Sequence, residues 1–384
     1  MTAMRIERAP ASSLVARPDS GSWRAFDAQL AVAALALAVI GLLMAWTNSP
    51  DGPLSAGSIF TRGLMWFALA IVAFAAVAAF DYRWLRTFSW LIYPLNLGLL
   101  VLTLVIGVTI NGAQRWILVG GLTFQISEIS KVVMIGVLAT FLQARRHSLG
   151  NVSTLIGAGL LTAPPFLLIV IQPDLGSALV LVAILAGTLF LSGASLRWMG
   201  LAAGSVVAMV PVIWSVLQDY QRRRLLTFLD PTSDPQGAGF QVIQAQIAVG
   251  SGGLFGKGLT NGTQAASDLL PVQSTDFAFA VLLEELGFIG GIVVFLLFVW
   301  LVWRVLLIGW RSGTVFGIAV AGGTAAMIIF QLLVNAGMIA GVMPVTGIPL
   351  PFITHGGASL VSTAIALGLL QSIAMRTEQP RPSW

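Results

Sequence analysis

The sequence predicts an all-α fold: a polytopic transmembrane helical bundle of about ten spans with one large extracytoplasmic loop. Three observations carry this expectation. Of 384 residues, 57% are hydrophobic and 9% charged, and mean hydropathy is +0.91, whereas soluble domains carry roughly 25% charge. The apolar residues fall in runs of about 20, the length that crosses a bilayer core. Basic residues gather in alternate connections between these runs, as the positive-inside rule requires.

The runs place spans at 27–47, 60–80, 87–107, 124–143, 152–171, 175–194, 199–218, 276–303, 314–340 and 354–375. Residues 1–26 read as a disordered cytoplasmic leader, because they are polar and hold no compact apolar cluster. The first run, about 20 residues long, lacks a small-residue cleavage pattern before a soluble mature region and so does not read as a cleaved signal peptide. Residues 27–375 read as the transmembrane domain and 376–384 as a cytoplasmic tail. With the N-terminus inside, 13 of the 20 basic residues fall on the inner side: Arg5, Arg8, Arg17, Arg24, Arg83, Arg86, Arg145, Arg146, Arg197, Arg304, Arg311, Arg376 and Arg381. The other seven are Arg62, Arg115, Lys131, Arg222, Arg223, Arg224 and Lys257. Charge that opposes the rule therefore gathers on the outer half, which Glu128, Asp174, Asp276 and Glu284 also reach.

The outer loop, 219–275, is too long for a hairpin. Within it, Val242, Ile243, Ala245, Ile247 and Ala248 predict a short amphipathic helix on the membrane surface over 240–249. The glycine run 250–258 is not a nucleotide loop, since Gly258 follows Lys257 where Ser or Thr is required and no parallel sheet surrounds it. It reads as a flexible loop offering one cation. Arg222, Arg223 and Arg224 face either lipid headgroups or a substrate phosphate. No internal repeat points to an inverted-repeat transporter. With no cysteine, and only His147 and His355 as histidines, thiol chemistry is excluded and a histidine metal centre is not expected. The sequence calls for no cofactor and leaves room for a divalent cation.

Asp276, at the mouth of a long apolar run, is an acid at a membrane boundary that needs a partner, water or a function; we read it as catalytic. Glu284 lies about 12 Å further along a helix, beyond the roughly 5–9.5 Å that paired-carboxylate glycoside hydrolysis uses. The parts suit a lone base that activates a hydroxyl while cations hold a phosphate leaving group. Glu128 and Lys131 share a helix face, as a structural ion pair or as the wall of a polar cavity. Arg115, in the loop 111–116, either holds a phosphate or anchors beside Trp116. Asp174, in the break 172–176, either caps the next span or contacts substrate. The stretch 341–351, with Pro344, Pro349 and Pro351, cannot be continuous helix and is expected to border a cavity.

These residues sit in motifs that resemble the SEDS (shape, elongation, division and sporulation) membrane glycosyltransferases of bacterial cell-wall synthesis. The matching segments are RWI at 115–117, FQISEISK at 124–131, QPDLG at 172–176, DPTSDPQGAGFQ at 230–241, IAVGSGGLFGKG at 247–258, STDFAFAVLLEELG at 274–287 and PVTGIPLPFITHGGAS at 344–359. PVTGIPLP and GSGGLFGKG look like the rod-shape elongation branch, the RodA type. The resemblance implies polymerisation of lipid II into β-1,4-linked glycan on the outer face of the bacterial cytoplasmic membrane, with undecaprenyl diphosphate released. It implies that Asp276 is the essential acid of the TDF motif and that Glu128, Lys131 and Asp174 line the cavity. The partner it implies is a class B penicillin-binding protein. Arg115, Arg222, Arg223, Arg224 and Lys257 complete the expected diphosphate-binding set. Ser274, Ile126, His355 and Ala358 depart from the family pattern without removing the base. A lipid II flippase and a non-enzymatic scaffold are the competing readings.

Overall fold

The computed structural model describes residues 25–49, 52–55, 57–110, 113–119, 122–216, 219–230, 238–262, 277–354 and 356–377. Asp276, Ser274 and His355, residues 1–24 of the leader and the tail beyond Thr377 lie outside the described residues. The helices are α1 (Ala28–Thr47), α2 (Ile59–Ala79), α3 (Tyr82–Ile106), α4 (Ile126–Ala144), α5 (Val152–Ile171), α6 (Leu175–Leu191), α7 (Leu196–Ala208), α8 (Val210–Val216), α9 (Asp219–Leu229), α10 (Ala238–Gly252), α11 (Ala278–Arg311), α12 (Val315–Ile339) and α13 (Gly357–Arg376). Their starts are written in short polar side chains. Asp27, Ser58, Asp81, Asp174 and Thr314 each accept a hydrogen bond from a backbone N–H of the first turn, satisfying donors that a helix start leaves open.

Among the described residues, eight helices are long and apolar enough to cross a membrane. The span expected at 175–194 is the 17-residue α6. The span expected at 199–218 is divided at Met209 into α7 and α8, where Pro211 lacks an N–H and its ring crowds the preceding turn. In α4, α12 and α13, 72% of the most apolar stretch is buried, against 17% in α2 and α3; the first three form the centre and the last two face lipid. α12 packs on α6 and α11, and α13 on α2. Gly187 and Gly322 let α6 and α12 meet backbone to backbone: a Cβ on Gly187 would stand 2.7 Å from the Gly322 carbonyl oxygen. Small residues at such crossings give close packing without a hydrophobic driving force.

The loop around Arg115 and the helix of the outer loop also differ from the sequence expectation. The loop around Arg115 is a three-stranded antiparallel sheet, β1 (Val108–Ile110), β2 (Ala113–Val119) and β3 (Leu122–Gln125), with Trp116 opposite Gln125. Its β-branched and aromatic residues favour strand pairing. The helix expected at 240–249 is the longer α10, and it packs on α11. Ala245 and Ala248 are fully buried, so the small apolar face meets protein rather than lipid.

Candidate functional site

Asp174 closes α5 and opens α6. Its Oδ1 accepts from the Ser177 backbone N–H at 3.2 Å, and its Oδ2 accepts from Gln125 Nε2 at 2.7 Å and Ser127 Oγ at 3.0 Å. Arg115, on β2, brings its guanidinium to 3.5 Å from Oδ1. The carboxylate is 1% exposed and has donors on both oxygens, so its charge is held without bulk water. Arg115 also lies over the Trp116 ring, 5.4 Å from its centroid. The capping of α6 and the Trp116 contact are thus both present.

One turn into α4, Lys131 Nζ donates to Glu128 Oε1 at 2.6 Å, and both side chains are almost completely buried. Ser362, on α13, donates to Glu128 Oε2 at 3.3 Å. Nearby, Ser130 Oγ donates to Asn96 Oδ1 at 2.7 Å, which extends the polar layer to α3. An ion pair sealed between helices costs several kcal/mol of desolvation per ion before its attraction is counted.

The irregular stretch 341–354 is held from several sides. Asn335 donates to the Ile348 carbonyl at 2.9 Å. Gly176 packs so closely that a Cβ there would stand 2.7 Å from the Thr346 carbonyl oxygen. Arg224, on α9, donates to the Val345 carbonyl at 3.4 Å. Arg222 bonds the Trp214 and Ser215 carbonyls at 3.2 and 2.8 Å; the side chain of Arg223 lies outside the described residues. This stretch and the start of α13 therefore link the Asp174 turn, the Glu128–Lys131 pair and the basic run of α9.

The glycine loop is docked on a broken helix. Gly287, inside α11, has φ 68° and ψ −171°, which interrupts the helical ladder. The freed groups pair with the loop: Lys257 and Gly258 N–H donate to the Glu284 and Glu285 carbonyls at 3.0 and 3.1 Å, while Phe288 and Ile289 N–H donate to the Gly253 and Leu254 carbonyls at 2.9 and 3.1 Å. Lys257 Nζ reaches Glu284 Oε1 at 2.6 Å. The Thr260 N–H donates to Glu285 Oε1 at 3.3 Å. Phe277, the residue after Asp276, is 1% exposed and starts α11.

The donors on Asp174 from Gln125 and Ser127, the Ser362 contact and the Lys257–Glu284 pair are contacts of the candidate site that sequence reasoning did not supply. Each joins residues far apart in the chain, and a lone serine or glutamine beside a motif gives no local signal. Among the described residues, no three His, Cys, Asp or Glu side chains group as a metal site.

Residues 28–379 match the FtsW/RodA/SpoVE family, described as cell cycle protein. Peptidoglycan glycosyltransferase MrdB of Escherichia coli K12 is 37% identical over 350 residues, covering 90% of this chain and 93% of that protein. A chain from a solved structure described as the structural coordination of polymerization and crosslinking by a peptidoglycan synthase complex superposes with a TM-score of 0.77 at 32% identity, covering 92% of this chain and 98% of that one. The crystal structure of the Thermus thermophilus rod shape determining protein RodA gives a TM-score of 0.69 at 27% identity, covering 93% and 99%. With its apolar helices and a family match across nearly its whole length, the chain is a multi-pass membrane protein of the FtsW/RodA/SpoVE family, the SEDS proteins.

Proposed function

We propose that this protein is a RodA-type peptidoglycan glycosyltransferase that polymerises lipid II into β-1,4-linked glycan strands on the outer face of the bacterial cytoplasmic membrane. Both termini lie in the cytoplasm, and the partner is a class B penicillin-binding protein that cross-links the product. The names of its relatives support the activity, and the peptidoglycan synthase complex supports the partner. The observation that carries the reading is the burial of Lys131, Glu128 and Asp174 in one polar layer of an apolar bundle, because ionisable groups inside a membrane mark a working site.

Asp276 is the general base. It takes the proton of the acceptor 4-hydroxyl as that oxygen bonds to the donor sugar C1; the C1–phosphate oxygen bond breaks, and undecaprenyl diphosphate leaves with the electron pair. Its sequence position just ahead of Phe277, the N-cap of α11, supports an ionised carboxylate, since a helix N-terminus favours negative charge. Lys131 and Lys257 are each engaged by a glutamate at 2.6 Å. That moves the weight of diphosphate binding towards Arg224, whose described contact is a long bond to a neutral carbonyl; Arg115 is 17% exposed but also stands 3.5 Å from the Asp174 carboxylate.

The test is reconstitution of the purified chain with lipid II, alone and with a class B penicillin-binding protein, with glycan chains read on gels. Wild type makes polymer. Asp276→Asn still binds the partner and loses roughly 10²–10⁴-fold in rate, and Arg224→Gln loses about tenfold, the worth of one charge-assisted contact. Polymer from Asp276→Asn at the wild-type rate removes the base assignment. Lipid II translocation with no polymer would establish the flippase instead.

A further inference from the structure

Where α1 begins and where α11 and α13 end, a cavity of ≈ 670 Å³ opens among residues that include Asp27, Gln29, Arg304, Trp310, Arg311 and Thr377. It belongs to the opposite membrane boundary from the glycine loop. Glu284 and Arg304 stand twenty residues apart on α11, about 30 Å at helical rise. Asp27 and Thr47 are separated likewise on α1, which packs along α11 with Asp27 paired to Arg304.

The charges in this cavity do not cancel. Asp27 is fully engaged: Oδ1 accepts from the Leu30 N–H at 2.9 Å and from Arg304 Nε at 3.3 Å, and Oδ2 accepts from a terminal nitrogen of Arg304. One negative and one positive charge are thereby paired. Arg311, in the last turn of α11, adds a second guanidinium, and no carboxylate among the described residues pairs with it. Beside it Trp310 is 81% exposed, the position an interfacial tryptophan takes at headgroup level. Ile308 and Ala374 supply an apolar wall. Among the described residues the site thus has one net positive charge, an apolar flank and the volume of a small-ligand pocket, at the depth where lipid headgroups lie.

We propose that this cavity binds the phosphodiester headgroup of an anionic phospholipid from the leaflet on the side of the chain termini. Arg311 supplies the bidentate donor that a planar guanidinium offers to two phosphate oxygens, Trp310 flanks the glycerol region, and the Asp27–Arg304 pair forms the wall behind. The binding joins α1 to α11 and α13 at one membrane boundary and stabilises the folded chain in proportion to lipid concentration. It requires nothing of the polymerase reaction.

The experiment uses the full-length protein, delipidated in neutral detergent and given phosphatidylglycerol, phosphatidylcholine or inorganic phosphate. Retained lipid is read by native mass spectrometry and stability by thermal unfolding. Phosphatidylglycerol should be retained at one molecule per chain above the phosphatidylcholine background and should raise Tm. Arg311→Gln, a change at an exposed side chain, should weaken that retention about tenfold, with Arg311→Lys between the two and the unfolding of the lipid-free protein unchanged. Equal retention by wild type and Arg311→Gln overturns the proposal. Equal stabilisation by inorganic phosphate, without retained lipid, assigns the site to free anions and overturns the lipid source. A gain in phosphatidylglycerol retention on deleting 378–384 or 1–24 identifies the chain's own terminus as the occupant and likewise overturns it.

Discussion

Lys131 is fully buried with its Nζ 2.6 Å from Glu128, so any substitution there acts on two charges at once. Lys131→Met strands a buried carboxylate and should cost about 3–5 kcal/mol of stability. The double change Lys131→Met with Glu128→Gln removes both charges and should recover most of that loss. Glycan synthesis measured on the stable double variant then isolates the pair's chemical role from its structural one: a rate within twofold of wild type makes it a structural pair, and we expect a fall of tenfold or more. Asp174 permits a similar separation. Asparagine caps a helix as well as aspartate, but its amide offers one acceptor oxygen where the carboxylate offers two, so Asp174→Asn keeps the cap and leaves the Gln125 and Ser127 donors unmatched, a loss of about 1–3 kcal/mol. Asp174→Ala loses the cap, about 1 kcal/mol, and orphans the Gln125 and Ser127 donors, a further 1–3 kcal/mol. Thermal unfolding of the two variants checks the order, and loss of polymer in a well-folded Asp174→Asn chain would assign the charge to substrate handling.

Among the elements, the segment 252–258 departs most from its sequence reading. Its glycines suggested flexibility, yet four backbone hydrogen bonds tie it to the break in α11. A Cβ on Gly256 would meet the Glu285 carbonyl oxygen at 2.1 Å, with φ already at +79°. Backbone cannot yield as a side chain can, so Gly256→Ala should cost well over the 0.4–1 kcal/mol typical of compatible glycine replacements. Gly98, inside α3 with open space around its Cβ position, is the control: Gly98→Ala should be neutral or raise stability by up to about 1 kcal/mol through helix propensity. A smaller loss for Gly256→Ala than for Gly98→Ala, read by thermal unfolding in detergent, would show that the loop can leave the break freely. The helices themselves were legible because apolar length, caps and prolines act locally. The strands at 108–125 and the pairing of loop with broken helix were not, because each depends on a partner segment that local pattern does not name. The Glu128–Lys131 pair was legible from its three-residue spacing, whereas Gln125 and Ser127 turning onto Asp174, about fifty residues on, were not.

For the whole molecule, the bilayer explains why so much of the architecture could be read: a lipid solvent forces apolar length on every span and leaves charge only where protein or water receives it. The same logic ties chemistry to sidedness. α11 carries the Lys257–Glu284 pair near one end and the Asp27–Arg304 pair near the other, about 30 Å apart, so fixing either end relative to the membrane fixes both. In the proposed orientation, which the 13-to-7 division of basic residues favours under the positive-inside rule, the Arg304 end and both termini face the cytoplasm. The 219–275 loop and Asp276 then face outward, where glycan is assembled. Because the chain has no cysteine, single cysteines at Ser233, Ser267 and Ser383 report without background. Those at Ser233 and Ser267 should react with an impermeant thiol reagent in intact spheroplasts, and the one at Ser383 only after lysis. The reverse pattern would put Asp276 on the ATP-containing side, where no glycan strand forms, and would leave translocation as the activity that these buried charges serve.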